Sequence, residues 1–418
     1  MTLNLDDAVR YAIESNLSLQ RQRIDLASSG YSERNIWMEI FPTVNATAGV
    51  GYRSPLFSES IQNPGINYSI GFGLNLSLNA GIPYVMNNIK LAHQGNILKF
   101  EDARNQLSIQ ITKLFYARIA EFNNLALLEE ILNVAQIRYA RSETAFRNGL
   151  AGELSLVSSR MAVENARYNL STARITYSNN MTEFLAMLGM DYGTNVALSG
   201  EIDIARIEAD ADSLIAAHLP GRPDIVRAAQ EIERLENVQS QVLFQNRAPS
   251  VSLSLNWSSS NFDPFSDLLS ANANLTIPVD SWIPGTTRGQ NVTRARENIE
   301  RARLDLTMTQ NAARTQIRSL TALLSNSWDS ILIARLALDA AQRTYQLTEE
   351  RFLSGRTETT ALEDAHNDLA AARRRLQTAE LSYFYMILDL SAALNIDWRD
   401  FMRTFGITNT TEALRENR

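Results

Sequence analysis

The sequence contains no cysteine, so disulfides, thiol catalysis, thiolate metal sites and a lipid anchor on an N-terminal cysteine are excluded in the form given. No run of 18 or more apolar residues occurs, and no transmembrane helix is available. Histidine is scarce. His93, His218 and His366 stand apart without partners at ligand spacing, which fits surface or seam positions better than a metal site. Lysine is rarer still in proportion, 3 against 36 arginines, and the arginine run 373–375 falls in helical sequence, where acids one turn away such as Asp368 or Glu380 are the expected partners. A net charge of -7 and a pI near 5.3 lack the basic footprint of a nucleic-acid or anionic-lipid binder. The opening MTLNLDDAVRYAIESN has no basic stretch followed by an apolar one, so the expectation is either a cytosolic chain or one whose signal peptide has been removed. No phosphate loop or nucleophile motif appears; the GFG at 71–73 lies inside an alternating segment. No cofactor, metal or enzymatic activity is expected.

Proline is missing over two long stretches, between Pro83 and Pro220 and after Pro284, and both are rich in Ala, Leu, Arg, Glu and Gln. Such composition without a breaker predicts very long helices. With 418 residues, 45% of them hydrophobic, the chain has ample material for a large ordered structure.

An internal repeat organises the rest. Residues offset by 206 pair Tyr139 with Tyr345, Phe146 with Phe352, Gly149 with Gly355, Leu188 with Leu394 and Asp191 with Asp397. Each half reads helix, strand, strand, long helix, helix. The first repeat, 1–191, is expected to hold a helix over 5–38, a hairpin over 43–79 and helices over 84–148 and 153–189. The second, 221–397, is expected to hold a helix over 222–247, a hairpin over 250–279 and helices over 290–353 and 358–395. Residues 192–220 and 398–418 remain as a link and a tail.

The long helices carry heptads. Ile317, Leu324, Ile331, Leu338, Tyr345 and Phe352 recur every seven residues, and Ile111, Leu125, Leu132, Tyr139 and Phe146 repeat this with Arg118 as the exception. Downstream, Leu362, Ala365, Leu369, Ala372, Leu376, Ala379, Tyr383, Met386, Leu390 and Ala393 step by three and four. This spacing keeps one seam facing a partner helix in a left-handed supercoil. At 1.5 Å per residue, a helix over 84–148 would be roughly 100 Å long.

The hairpins have a different period. Ile66, Tyr68, Ile70, Phe72, Leu74, Leu76 and Leu78 alternate with Asn67, Ser69, Gly71, Gly73, Asn75 and Ser77. Val44, Ala46, Ala48, Val50 and Tyr52 likewise oppose Asn45, Thr47, Gly49 and Gly51. Val251, Leu253, Leu255 and Trp257 oppose Ser252, Ser254 and Asn256, and Leu269, Leu275 and Ile277 belong to a fourth such series. Side chains alternate across a strand, so each has one oily face and one small polar face. No charge lies on an oily face, where Arg or Lys at mid-membrane costs about 2–4 kcal/mol. The lengths match the roughly 9–11 residues that a tilted strand needs to cross a bilayer. Four strands cannot close on themselves in lipid, so other copies must complete the barrel: two copies fill the interior with side chains, three begin to leave a lumen, and three is preferred. A soluble coiled-coil scaffold with two small hairpins is the competing account.

On these residues the chain resembles the TolC family of outer-membrane efflux and secretion ducts. LNLDDAVRYAIESNLSL is similar to the family's opening helix, IFPTVNATAGVGY to its first strand, and FRNGLAGELSLVSSRMAVENARYNL and FLSGRTETTALEDAHNDLAAARRRL to its two helical turns with a shared Phe-x-x-Gly. The resemblance implies a mainly α chain with a β-barrel part. Four strands per chain would enter a 12-stranded trimeric barrel in the bacterial outer membrane, on a 12-helix coiled-coil periplasmic tunnel, with 192–220 and 398–418 as an equatorial belt. It implies a passive exit duct for efflux or type I secretion, with a periplasmic adaptor (membrane fusion) protein and an inner-membrane transporter as partners. Lipid would face Val44, Val50, Tyr68, Ile70, Phe72, Leu74, Leu76, Val251, Leu253, Leu255, Trp257, Leu275 and Ile277. The turns bearing Phe146, Gly149, Leu150, Phe352 and Gly355 would dock the adaptor. Of the two Asp that the family places after the second glycine, Asp364 is present and Ala361 replaces the other, so the gate candidates are Asp364 with Glu358, Glu363 or Arg356 nearby. These acids also suit the first turn of a helix through its dipole. The stretches 53–65 and 259–267 are the expected extracellular tips.

Overall fold

A computed structural model describes residues 2–53, 65–191, 193–202, 204–260, 267–283, 285–354, 356–357 and 359–407. The elements run β1 (Thr2–Leu3), α1 (Leu5–Ser15), α2 (Leu17–Arg34), a 3-10 turn (Ile36–Ile40), β2 (Thr43–Arg53), β3 (Gly65–Asn79), α3 (Ile82–Arg147) and α4 (Glu153–Met187). They continue with β4 (Ala197–Leu198), β5 (Arg206–Ile207), α5 (Ala211–His218), α6 (Pro223–Arg247), β6 (Ser250–Ser260), β7 (Leu268–Thr276) and a 3-10 turn (Asp280–Trp282). The chain then forms α7 (Thr287–Leu353), α8 (Thr359–Leu394), α9 (Trp398–Phe405) and β8 (Gly406–Ile407). The proline-free stretches are thus helices of 66 and 67 residues, each followed by one of 35 or 36.

Two expected boundaries differ. The helix expected over 5–38 breaks at Asn16, whose backbone is extended (ψ 122). Its Oδ1 accepts the Ser18 and Leu19 amides at 3.0 and 3.2 Å, and its Nδ2 donates to the Met187 carbonyl at 3.2 Å, so a capping side chain replaces helical continuity. The strand expected to run to 279 ends at Thr276, because Pro278 has no N–H to give a ladder; Ile277 therefore lies just past the strand and is exposed.

Contacts divide the chain into two units that cut across the repeat. One comprises Met1–Arg23, Phe100–Pro223 and Gln310–Arg418, the other Ile24–Lys99 and Asp224–Thr309.

In the first unit the heptads become seams. Ile317, Leu324 and Ile331 of α7 are buried, and so are Ala365, Leu369, Ala372, Tyr383, Leu390 and Ala393 of α8. A core of Leu5, Ala8, Ile111, Phe115, Phe184, Leu188, Phe384 and Leu388 joins α1, α3, α4 and α8. The short strands clasp the link and the tail: β1 pairs in parallel with β4, and β5 pairs antiparallel with β8. The repeat survives in the way helices end. Gly189 (φ 71) and Asn395 (φ 56), 206 apart, both take the left-handed conformation just past a helix, and the Met190 and Ile396 amides reach back to the Leu185 and Ser391 carbonyls. Asn is the side chain that tolerates this backbone best after Gly, which is how the two copies diverged without losing the cap.

In the second unit α6 and the start of α3 are stitched by amides, Asn237 Nδ2 to the Tyr84 carbonyl at 2.7 Å and Asn87 Nδ2 to Asn237 Oδ1 at 3.0 Å, with Tyr84 stacked on Phe244 at 5.1 Å. The same unit holds β2, β3, β6 and β7 as one antiparallel sheet in that order.

Tyr383 ties the link to α8. Its hydroxyl donates to the Ala205 carbonyl and accepts from the Ile207 amide, both at 3.0 Å, and burial pushes its pKa up to about 12. A raised phenol pKa stabilises the fold fully below the unfolded value of 10.0 and loses that contribution as pH climbs from there toward about 12. Tyr383→Phe is expected to cost about 1–3 kcal/mol by orphaning a buried amide and carbonyl. Thermal unfolding in detergent should show a lower Tm near neutral pH and a smaller further drop between pH 10 and 12 than in the parent; an unchanged Tm would contradict this role.

Candidate functional site

The sheet has two unlike faces, and its register builds them. Cross-strand rows align Val44, Leu74, Leu255 and Ala271 on one face, then Ala46, Phe72, Trp257 and Leu269, then Leu76, Leu253 and Ala273. The rows between them align Asn45, Gly73, Asn256 and Ser270, then Asn75, Ser254 and Asn272, on the other face. The apolar face is not covered by the chain: Val44, Val50, Tyr68, Phe72, Leu74, Val251, Leu253, Leu255 and Leu275 are exposed, and Ile70, Leu76 and Trp257 are half-buried. Phe72 and Trp257 stack at 5.8 Å and 24°.

The small polar face is crowded. A Cβ at Gly73 would come within 2.5 Å of Asn45 Oδ1 and 2.7 Å of Asn256 Oδ1, and one at Gly71 within 2.9 Å of Thr47 Oγ1 and 3.1 Å of the Trp257 carbonyl. The glycines make room for flanking amides and hydroxyls from neighbouring strands. β2 and β7 are the edge strands, each with one side unpaired among the described residues.

At the first helical turn, Gly149 adopts φ 71 and the Leu150 amide reaches back to the Ala145 carbonyl at 2.8 Å, which satisfies the end of α3. That cap holds Phe146, Leu150 and Leu154 exposed, the last two more than four-fifths so. At the second turn the Arg356 amide makes the equivalent bond to the Arg351 carbonyl, also at 2.8 Å, and Phe352 is half-buried. Gly355 and Glu358 lie outside the described residues, as does most of the expected tips, 54–64 and 261–266. Asp364 and Arg356 are exposed, whereas Glu363 pairs with Arg138 of α3 at 3.3 Å.

Some arginines pair with acids one turn away, such as Arg147 with Glu143 and Arg234 with Glu231, and others reach across helices. Arg373 pairs with Glu130 of α3, Arg335 of α7 with Glu380, and Arg174 of α4 with Glu129. Sequence spacing pointed to Glu380 as a local partner of the 373–375 run; the heptad twist instead presents it to α7. Arg118, the exception in its heptad, is buried and bonds Glu121 Oε1 at 2.8 Å, which also accepts Asn180 Nδ2 at 2.9 Å. His366 is buried against Tyr345 at 5.7 Å, and its pKa is lowered by that burial and then by Arg138. His93 Nδ1 lies 3.0 Å from Ser29 Oγ. Among the described residues no group of acids and histidines is placed to hold a metal, and no helix is long and apolar enough to cross a membrane.

One feature carried no sequence signal. At the end of the sheet where β2 and β6 begin and β3 and β7 finish, the two 3-10 turns expose Trp37, Phe41 and Trp282. Trp37 meets Phe41 edge-on at 5.7 Å, and the Arg247 guanidinium lies 4.7 Å over the Trp282 ring. These residues flank the alternating runs, so a search for period two passes over them.

Residues 214–395 match the family model described as Outer membrane efflux protein. The probable efflux pump outer membrane protein TtgC of Pseudomonas putida is 22% identical over 412 residues, spanning 94% of this chain and 83% of that protein. The antibiotic efflux pump outer membrane protein ArpC of the same species gives the same figures: 22% identity, 94% and 83%. Among solved structures, the Campylobacter jejuni CmeC outer membrane channel superposes with a TM-score of 0.76 at 18% identity, covering 99% of this chain and 88% of that one. The open-state MtrE outer membrane channel of Neisseria gonorrhoeae gives 0.73 at 15% identity, covering 94% and 89%. At these identities the structural likeness establishes the fold.

The crowding at Gly73 yields a test. Gly73→Val is expected to disrupt the sheet, whereas Gly51→Val, whose Cβ would meet nothing within 4 Å, should be tolerated. Circular dichroism melting in detergent should show a clear loss for the first variant only; equal melting of both would contradict the packed polar face.

Proposed function

We infer that the chain is a TolC-like outer-membrane efflux protein, the passive exit duct of a tripartite efflux or type I secretion system, and that it works as a homotrimer. The supporting observation is the sheet: four strands with an exposed oily face, a small polar face and two unpaired edges, in a chain with no apolar membrane helix among its described residues. Lipid lacks hydrogen-bonding groups, so edges buried in it need strand partners. Three copies would supply 12 strands and a lumen lined by Asn, Ser, Thr and Gly. A soluble scaffold would instead have packed Val44, Phe72 and Leu74 against its own core, and they are exposed.

In this reading Val44, Val50, Tyr68, Phe72 and their row-mates contact hydrocarbon, and Trp37, Phe41 and Trp282 form the aromatic girdle at the periplasmic interface, where amphipathic rings sit among headgroups. The exposed Phe146, Leu150 and Leu154 present the apolar patch on which a periplasmic adaptor docks, with an inner-membrane transporter delivering the cargo. Residues 192–220 and 398–418 act as the equatorial belt; the link pairs through β4 with the N-terminal β1 and through β5 with β8 of the tail. Three exposed Asp364 carboxylates converging on the axis would repel, hold cations and narrow the exit, while Glu363 is engaged by Arg138 and serves to fix the helices.

Two measurements test this. Trimers with Asp364→Ala in planar bilayers should pass more current with weaker cation preference; unchanged current and selectivity would remove the gate. Tryptophan emission of the protein in vesicles whose lipids are brominated near the headgroup should be quenched in the parent and markedly less in Trp37→Phe/Trp282→Phe. Equal quenching would place the girdle elsewhere.

A further inference from the structure

The apolar face of the sheet is not level. A trough of about 360 Å³ crosses it, lined by two cross-strand rows, Leu74, Leu255 and Ala271, then Leu76, Leu253 and Ala273, with Pro42 at its rim. The alanines of β7 make it, because each presents a methyl group where its neighbours in the row carry the larger leucine side chain. Walls of this chemistry gain dispersion contacts from an apolar occupant and nothing from a polar one.

A positive charge stands beyond one end of the trough. Leu76, Leu253 and Ala273 lie three residues inside Asn79, Ser250 and Thr276, the strand termini near which the 3-10 turns expose Trp37 and Trp282. Arg247 ends α6 three residues before Ser250, with its guanidinium 4.7 Å over the Trp282 ring. Among the described residues it forms no ion pair and its Nε has no hydrogen-bond partner, while Asp280, two residues before Trp282, is taken by Arg288 at 2.6 Å. Stacking covers one face of a guanidinium and leaves the edge of its plane for an acceptor. At about 3.3 Å per residue, the strand termini and the nearer row of the trough are on the order of 10 Å apart. The headgroup layer of a bilayer is roughly 5–8 Å deep on each side, so a guanidinium at headgroup level puts the trough in hydrocarbon.

We propose that Arg247 and the trough form a binding site for one diacyl phospholipid per chain, its phosphate bonded by the guanidinium and one acyl chain lying along Leu76, Ala273 and Ala271. Phosphate is the fitting anion because the fork of an arginine matches its oxygens and gains a charge-assisted bond. An acyl chain is the fitting occupant of the trough because the proposed duct turns this face to hydrocarbon, where a peptide could not satisfy its backbone. The two halves of the site, one cationic and one apolar, take a single molecule only if that molecule is amphipathic. A lipid held at both ends fixes the depth of the sheet in the bilayer. This proposal rests on the reading of the chain as an outer-membrane duct.

Native mass spectrometry of the full-length protein in detergent, titrated with dioleoyl phosphatidylglycerol, should show uptake that saturates at one lipid per chain. Dioleoylglycerol, with the same tails and no phosphate, should bind about tenfold more weakly through loss of the charge-assisted bond, a comparison that needs no substitution. Arg247→Gln should bring the phospholipid down to the level of the diacylglycerol. Ala271→Leu/Ala273→Leu, which fills the trough and keeps the face apolar, should weaken both lipids and preserve the ratio between them. Circular dichroism melting like the parent's assigns these losses to binding. Equal affinity of the parent for both lipids, uptake that never saturates, unchanged binding in either variant, or displacement of the lipid by inorganic phosphate overturns the site and leaves the duct standing. A protein that is folded and monomeric without detergent and takes up neither lipid overturns both.

Discussion

A backbone N–H or C=O of a sheet in hydrocarbon has nothing to bond except another strand, and in the proposed duct this requirement governs the four-stranded sheet. β3 and β6 meet it inside the chain by pairing on both sides, while β2 and β7 meet it on one side only. Each unpaired amide in lipid costs several kcal/mol, more than the roughly 1 kcal/mol over which strand propensities range. On the proposed reading one chain is therefore an incomplete duct, and the free edges of β2 and β7 are where further copies would complete it. Side chains then choose the faces: Val, Leu, Phe and Trp on one, which the proposed duct turns to lipid, and Gly, Ser and Asn on the other, which it turns to the interior.

Glycine at 71 and 73 is the clearest sign of that closeness. Its backbone there is ordinary strand, so conformational freedom is not the reason for it. What it supplies is room for Asn45, Thr47 and Asn256. In the helical part the limiting factor is register. Long apolar seams alone permit slippage by a heptad, and the cross-helix pairs Arg174–Glu129, Arg373–Glu130, Arg138–Glu363 and Arg335–Glu380 hold the helices level. Each is worth little in solvent, but together with the Arg118–Glu121–Asn180 network, whose guanidinium is buried, they penalise any slipped arrangement by stranding charge. Arginine suits this work because its fork holds geometry as well as charge.

Duplication explains why the two halves look alike and where they differ. Gly189 and Asn395 cap equivalent helices with the same left-handed turn, and Asp397, at the place of Asp191, caps α9 by accepting the Arg399 amide. At the tips, the halves keep the glycine and the Phe, but Asp364 has only Ser158 as its counterpart. In the proposed trimer, a constriction charged from one half alone would put three carboxylates on the axis instead of six, with weaker repulsion.

Much of this was legible in the sequence because periods are local. Alternation over 66–78 fixed which face of each strand is oily, the steps of three and four from Leu362 to Ala393 fixed the seam of α8, and the offset of 206 fixed the order of elements. Near neighbours along the chain decide these properties, so a one-dimensional string contains them. Breaks and pairings were not legible. Asn16 interrupts a helix because Met187, far along the chain, supplies a carbonyl for its amide, and Glu380 faces Arg335 rather than the 373–375 run because supercoiling turns it toward another helix. The exposed aromatics Trp37, Phe41 and Trp282 were hidden for the same reason: Trp282 is remote in sequence from the other two, and only the antiparallel register brings the start of β2 and the end of β7 to one end of the sheet. Sequence determined what each segment is and which way it faces; only the tertiary structure decided what lies level with what, since that is set by contacts between residues hundreds of positions apart.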